Sequence, residues 1–509
     1  MSIKKIINRL VFLRKHISAV HVLLLGFLLF ILQKSSLLFH TRELLWDEAV
    51  YLSMGRYIYT FGETGLWEPL RPPILPIVLG FFDLFGDPVF LGKLFILFCA
   101  LAGATLLYLL LKERVDPGIA ASAALILLFT PIWFSSSSNL LTGIPSVTLA
   151  LGAIYAYAKQ KYFLSGILAA IAFLIRFPTG LILAALLGTQ LILLVKTRTR
   201  IIYTQTIFLL LGFSSLVLPW MIINAIQYQH TGLIAPIYPL ISGGVNVFFD
   251  HLWLRTSGIE YYFIGILVTL PIIIFAVFSI DKKAYTPEAI AIVLFGALGL
   301  MFYTILPNNQ WRFALIFIPT LIWLVAVGMH RIHHTRQWLY PLLICCVLVQ
   351  LILFIPPNHE HIQHQKQELS SFYKDHFQYA STHEPLQGMM YVTNPIAAWY
   401  TGGFAKQIYY EFYTEIHLED DMPEIVFFAP RHIPCQHDDI NCQEALYSFV
   451  TELREHYTLV QENQRYGYAY FIFLRETTLP GIDTERVFSQ LRYVQYNPPV
   501  MQEQSFLTQ

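Results

Sequence analysis

The feature that most constrains this chain is a succession of long apolar runs covering most of the stretch between Val20 and Ile355. The first, Val20–Leu38, is followed by runs at Val89–Leu111, Ile119–Phe134, Leu140–Ala158, Phe163–Ile175, Leu181–Val195, Ile201–Ile223, Tyr262–Ile280, Ala289–Leu306, Phe313–Met329 and Leu339–Ile355. In lipid a backbone must satisfy its own N–H and C=O groups, which a helix does within one segment, so these runs predict about eleven transmembrane helices. Composition agrees. Of the 509 residues 56% are hydrophobic and 13% charged, with mean hydropathy +0.54, against about 25% charge in soluble domains. No small-residue cleavage site follows Val20–Leu38, so that run is expected to stay as a helix. Zero formal net charge and a pI near 7.3 give no electrostatic footprint for nucleic acid, which leaves the lipid bilayer as the expected partner.

Charge is informative by position. Lys4, Lys5, Arg9, Arg14 and Lys15 precede the first run and place the N-terminus in the cytoplasm. Basic connections at 112–116, 159–161, 196–200, 281–283 and 330–336 alternate with SSSSN, RFPTG, the 228–260 loop and PNNQWR. With an odd number of spans, everything after Pro357 falls outside, together with a long first loop at 40–86. That loop is expected to turn at Phe61-Gly62-Glu63 and to lay the short apolar stretch Ile74–Phe85 along the membrane interface.

The same loop carries the chemistry-bearing stretch Leu45-Trp46-Asp47-Glu48-Ala49-Val50-Tyr51, answered by Arg71-Pro72-Pro73. Two adjacent carboxylates and an arginine on a rigid Pro-Pro turn suit a proton acceptor and a phosphate clamp. Charged side chains at membrane depth are functional candidates by default. Arg56, Arg71, Arg176, Arg312 beside Trp311, and Lys93 all fall on the external side in this topology. The plainer reading is that each arginine snorkels or neutralises a loop acid.

From Asn358 to Gln509 the composition becomes that of a soluble domain. MMYVT, EIVFFAP, YTLVQ and YAYFIFL read as strands, and Ala445, Leu446, Phe449, Val450 and Leu453 share one helical face, which predicts a small α/β domain. The expected division is therefore a membrane domain at 1–357, carrying the catalytic loop 40–86, and an extracytoplasmic domain at 358–509. Cys99, Cys345 and Cys346 lie in apolar runs as small buried hydrophobes. Cys435 and Cys442 flank QHDDIN at a spacing that closes a disulfide loop in an oxidising compartment, with zinc held beside His432 and His437 as the alternative. His432, His437 and His456 are scattered, and no metal centre is expected from the sequence.

WDEAVY after the first span, then RPPILPIVLGFFDLFGD, LAAIAFLIRFPTGLIL and QWRFALIFIP, resembles the glycosyltransferase C superfamily. The likeness is to its polyprenyl-phosphate-sugar-dependent branch, which includes the protein O-mannosyltransferases and the lipid A aminoarabinose transferases. It covers the membrane half. The resemblance implies that Asp47 matches the catalytic aspartate of the first loop and Glu48 its neighbour, that Arg71 contacts the donor phosphate, and that Arg176 and Arg312 match further basic positions. Relatives often carry an acidic residue before the fourth span, where this chain has Asn139-Leu140-Leu141-Thr142-Gly143, so a divalent metal is not firmly implied. No cofactor is implied beyond the lipid-phosphate sugar that serves as donor.

The implied reaction is inverting transfer of a sugar from a polyprenyl phosphate to a hydroxyl of a protein, lipid or glycan outside the cytoplasm, with Asp47 as general base. A flippase or transporter of lipid-linked saccharides, and a glycan polymerase or ligase, are the alternatives. Transporters place polar sites near the bilayer midplane on broken helices, whereas here the candidate residues lie in a loop and at helix ends. The C-terminal domain is expected to cover the cavity and help select the acceptor.

Overall fold

A computed structural model describes residues 19–39, 44–68, 71–227, 286–305, 311–335, 389–408, 423–429, 440–465 and 468–475. In chain order the helices are α1 (Ala19–Leu38), α2 (Trp46–Tyr59), α3 (Ile74–Asp83), α4 (Pro88–Leu111), α5 (Pro117–Phe129), α6 (Pro131–Ser136), α7 (Gly143–Ala158), α8 (Tyr162–Ile175), α9 (Leu181–Thr197), α10 (Ile201–Gln227), α11 (Pro287–Ile305) and α12 (Ile318–Thr335), with 3-10 turns at Phe177–Gly180 and Trp311–Ile316. Then come β1 (Met390–Val392), α13 (Pro395–Thr401), β2 (Ala405–Gln407), β3 (Ile425–Phe428), α14 (Ile440–His456), β4 (Tyr457–Arg465) and β5 (Tyr468–Arg475). The architecture is that expected: a polytopic α-helical membrane part plus a small α/β part. Among the described residues, five helical segments are long and apolar enough to cross a membrane: Ala19–Leu38, Pro88–Leu111, Phe177–Thr197, Ile201–Ile223 and Ala314–Arg331. The expected spans at 262–280 and 339–355, and residues Cys345, Cys346, His432, Cys435 and His437, lie outside the described residues, as do the side-chain contacts of Cys442.

The chain forms two compact units. The first comprises Met1–His40, Pro69–Leu75 and Val89–Gln367; the second comprises Thr41–Glu68, Pro76–Pro88 and Glu368–Gln509. This differs from the division at 357/358: most of the first loop clusters with the C-terminal part of the chain rather than with the membrane helices.

In the first unit, small residues let helices approach closely. At the crossing of α8 and α10, a Cβ built on Gly166 would stand 2.1 Å from the carbonyl oxygen of Leu209, and one on Gly212 would stand 2.1 Å from that of Phe163. Phe30 of α1 meets Phe129 and Phe134 edge-on, and Thr148 of α7 donates its hydroxyl to the carbonyl of Cys99 in α4, a buried thiol as expected. The run Ile119–Phe134 is not one helix. Thr130 precedes Pro131 and takes an extended conformation (φ −57, ψ 128), because the proline ring disfavours the helical region for its predecessor; α5 ends there and α6 begins.

In the second unit the five strands lie in the order β2-β1-β3-β5-β4. The first two pairings are parallel and the last two antiparallel. All four expected strands form, and the expected helical face of α14 packs Phe449, Val450 and Leu453 against Tyr391, Val426, Phe428 and Phe471. Buried Tyr457 donates its hydroxyl to the carbonyl of Pro423 at 2.6 Å, and burial pushes its phenol up to about 12.

The α8–α10 crossing supplies a direct test of this packing. Gly212→Ala places a methyl group against backbone that cannot rotate away, and is expected to cost about 1–3 kcal/mol, read as a lower melting temperature in detergent. An unchanged melting temperature would show that the two helices are not held this closely.

Candidate functional site

Helix α2 begins at the acidic pair. Leu45 occupies the N-cap in an extended conformation (φ −70, ψ 156), so Asp47 and Glu48 fall in the first turn, where the free N–H groups and the helix dipole favour negative charge. Their environments differ. Glu48 is 1% exposed, and its Oε2 accepts a hydrogen bond from the Leu45 N–H at 2.8 Å, half of a capping box whose other half leucine cannot supply. Asp47 is half-buried. Within the pair, Glu48 fixes the entry of the helix and Asp47 keeps a partly open face.

Arg56 lies in the last turn of the same helix and the same unit. Its Nε contacts Asp83 Oδ2 at 3.2 Å, its Nη1 donates to the carbonyl of Trp399 at 3.1 Å, and its guanidinium lies 4.0 Å from the centroid of the Trp399 ring. After Tyr59 the chain reverses through the expected turn. Gly62 N–H bonds the Tyr57 carbonyl at 2.9 Å, and both Phe61 (φ 54) and Gly62 (φ 91) are left-handed.

The other basic candidates belong to the first unit. Half-buried Arg71 precedes Pro72 and Pro73, directly ahead of α3. Lys93 of α4 is 4% exposed and its Nζ donates to the carbonyl of Leu37, in the last turn of α1, at 3.5 Å. Arg176 caps α8 in an extended conformation (φ −154, ψ 109). Its Nη1 stands 3.3 Å from where a Cβ on Gly143 would lie, against the first residue of α7. The same position would meet Leu315 Cδ1 at 2.7 Å, so the 3-10 turn that carries Arg312 meets α7 at this point too. Arg176 and the Arg312 turn therefore converge on the start of α7.

One basic residue of this region escapes the sequence reading. Lys34 is 1% exposed within α1, with Nζ 2.8 Å from Ser138 Oγ and 3.6 Å from the Phe134 ring centroid. A lone lysine four residues from the end of an apolar run reads as snorkelling; its signal was the absence of any acid at helical spacing beside it. Ser138 belongs to the buried Ser135–Ser138 stretch that leads into Asn139 and α7. Among the described residues no group of three or more His, Cys, Asp and Glu side chains gathers as metal ligands. The opposite helix ends carry ion pairs and a histidine–carboxylate contact: Arg114 with Glu288, Lys159 with Glu113, and the His330 ring with Asp116 at 3.2 Å. The Lys159 hydrogen bond holds the Glu113 carboxyl below the usual carboxylate range.

Residues 71–223 match the family model of the dolichyl-phosphate-mannose-protein mannosyltransferases, a segment containing Arg71, Lys93 and Arg176. By sequence alone no curated protein matches the chain. By structure it is similar to ArnT from Cupriavidus metallidurans bound to undecaprenyl phosphate, with TM-score 0.63 and 12% identity over 91% of this chain and 98% of that one. The apo state of the same protein gives 0.59 and 13%, covering 90% and 99%. An oligosaccharyltransferase from Archaeoglobus fulgidus, tethered to an acceptor peptide, gives 0.55 and 12%, covering 90% and 74%. At these identities the structural likeness is one of fold. The chain thus shares the fold of ArnT and of the archaeal oligosaccharyltransferase, and within it residues 71–223 match the family model of the dolichyl-phosphate-mannose-protein mannosyltransferases.

Proposed function

We propose that this protein is a membrane glycosyltransferase that moves a sugar from a polyprenyl phosphate to an acceptor hydroxyl on the extracytoplasmic side, with inversion at the anomeric carbon. The observation that carries the reading is the likeness of nearly the whole chain to a protein whose structure holds undecaprenyl phosphate. The family match across 71–223 supports it.

The chemistry asks for two things. An acceptor hydroxyl attacking the anomeric carbon must lose its proton, and a positioned carboxylate takes it. The bond from that carbon to the phosphate oxygen breaks, and the departing phosphate, already a stable anion, needs cations rather than an acid. Asp47, half-buried in the first turn of α2, is the base in this reading. Glu48 holds the helix entry through the Leu45 N–H. Arg71 is the principal phosphate contact, and Arg176, Arg312 and Lys93 supply further positive charge to the donor. The sugar and the acceptor are left open among the chemistries that this kit serves.

Asp47→Asn keeps the shape and removes the base, so turnover is expected to fall by about 10²-fold or more while undecaprenyl phosphate still binds. Near-normal turnover in the purified variant would remove Asp47 from the role. Glu48→Gln retains an oxygen that accepts from Leu45 N–H and should be the milder change; the reverse ranking would move the base to Glu48.

Arg71→Ala should weaken undecaprenyl phosphate binding by roughly 2–3 kcal/mol, the scale of a charge-assisted hydrogen bond to phosphate in a desolvated site, with Arg71→Lys recovering part. Unchanged affinity and turnover would put the phosphate contact elsewhere, with Arg176 and Arg312 next. For the sidedness, a membrane-impermeant thiol reagent in intact cells should label a cysteine replacing Glu63 and leave one replacing Arg198 unlabelled. The opposite pattern would invert the topology and deny the loop an external acceptor.

A further inference from the structure

Arg56 stands nine residues from Asp47, about 13 Å along the axis of α2 at 1.5 Å per residue. Its guanidinium is engaged on three sides: by the Asp83 carboxylate, by the Trp399 carbonyl and by the face of the Trp399 indole. A planar guanidinium fits this combination of fork and stack, which an ammonium does not reproduce. The grip continues along the chain. Tyr57 lies against Phe404 with ring centroids 6.1 Å apart, and against Trp67 at 5.8 Å. Beyond the turn, the Gly65 N–H donates to the Gly403 carbonyl at 2.8 Å and the Ala405 N–H donates to the Gly65 carbonyl at 2.7 Å.

Two glycines make the fit possible. Gly65, at φ +84, passes so near α2 that a Cβ would stand 2.3 Å from the Ser53 carbonyl oxygen. Gly402, at φ +73, turns the chain out of α13 just beyond the guanidinium. The segment 399–405 thus holds the last turn of α2 through a stack, a charge-assisted hydrogen bond and a ring pair, and holds Gly65, which packs against Ser53 of the helix, through two backbone hydrogen bonds. All of these contacts lie within the second unit.

We infer that Arg56 and Trp399 are positioning residues for Asp47: the C-terminal α/β part of the chain sets the axis and height of the helix that carries the proton acceptor. This rests on the reading of Asp47 as base. It gives the C-terminal part a role in the proton-transfer step in addition to any selection of the acceptor. It also separates Arg56 from the donor-phosphate contacts, because its charge is already committed to Asp83 and Trp399.

The test uses full-length protein in lipid nanodiscs carrying Arg56→Ala, Arg56→Lys, Trp399→Ala, Trp399→Phe, or the two alanine changes together. Turnover is measured with the polyprenyl-phosphate sugar isolated from cells lacking the protein, binding with undecaprenyl phosphate, and the order of α2 by hydrogen exchange of the Ala49–Gly55 amides. Each alanine variant is expected to lose about 10–10²-fold in kcat, since displacements near 1 Å cost that much, while affinity for undecaprenyl phosphate stays within about twofold. The double variant should be little worse than either single one, because both changes break one interaction. Exchange in α2 should rise in step with the loss of kcat, Trp399→Phe should restore most of the rate, and Arg56→Lys only part.

Weakened undecaprenyl phosphate binding in Arg56→Ala with a silent Trp399→Ala would overturn the inference and return Arg56 to the phosphate contacts. Unchanged kcat in the folded fraction, with only a lower melting temperature, would also overturn it and leave the contact purely structural. If Asp47→Asn is active while α2 exchange still tracks Arg56 and Trp399, the base assignment fails and the mechanical coupling stands, so the two failures are distinguishable.

Discussion

A charge held in hydrocarbon is costly unless it reaches water, a partner or a ligand, and this constraint orders the first unit. Its charged groups gather at helix ends. At one set of ends acids and bases meet, as in Arg114 with Glu288 and Lys159 with Glu113. At the other set the basic residues Lys34, Lys93 and Arg176 and the turn carrying Arg312 come to the last turn of α1 and the start of α7. The segment that joins them, Ser135–Ser138 with Asn139 and Thr142, offers hydroxyls and an amide rather than carboxylates. Such an arrangement suits an anion better than a metal ion, since hard cations are held chiefly by carboxylate and carbonyl oxygens.

Much of the fold was legible because lipid simplifies the code. A long apolar run has to be a helix, and its borders in Ala19–Leu38, Pro88–Leu111 and Leu181–Thr197 fall within a few residues of the apolar limits. The strands at 390, 425, 457 and 468 were readable from dense β-branched and aromatic residues between polar breaks. Strand β2 was not: Ala405–Gln407 is three residues long, and only its pairing with β1 makes it a strand. The break at Thr130 was carried by a single proline within an otherwise continuous run, which hydropathy alone smooths over.

The site was legible in its residue types and less so in their duties. Asp47 and Glu48 look equivalent in sequence, and only the helix start separates them: the third helical position reaches back to the N-cap N–H, while the second does not. Arg56 looked like one more external cation. Its partner Trp399 is 343 residues away, and no local pattern announces a contact over that separation. Lys34 was hidden by its surroundings, where one basic residue near the end of a span has an ordinary explanation in snorkelling.

The two anchors of α2 explain why a helix was needed at all. A 14-residue segment is marginal as an isolated helix, because nucleation costs more than a few hydrogen bonds return. It persists here because its middle, Ala49 to Gly55, is buried and because both of its ends are tied down. Glu48 ties the first turn to Leu45, and Arg56, Tyr57 and Gly65 tie the region of the last turn to residues 399–405. Gly55 in between packs so closely on Gly80 that a Cβ would stand 2.6 Å from the Gly80 nitrogen, which leaves the helix no room to roll. A carboxylate at the second position of a helix held in this way has few degrees of freedom left beyond its own χ angles. In the proposed reading of Asp47 as the base, that restriction serves proton transfer, because an acceptor displaced by an ångström loses most of its advantage.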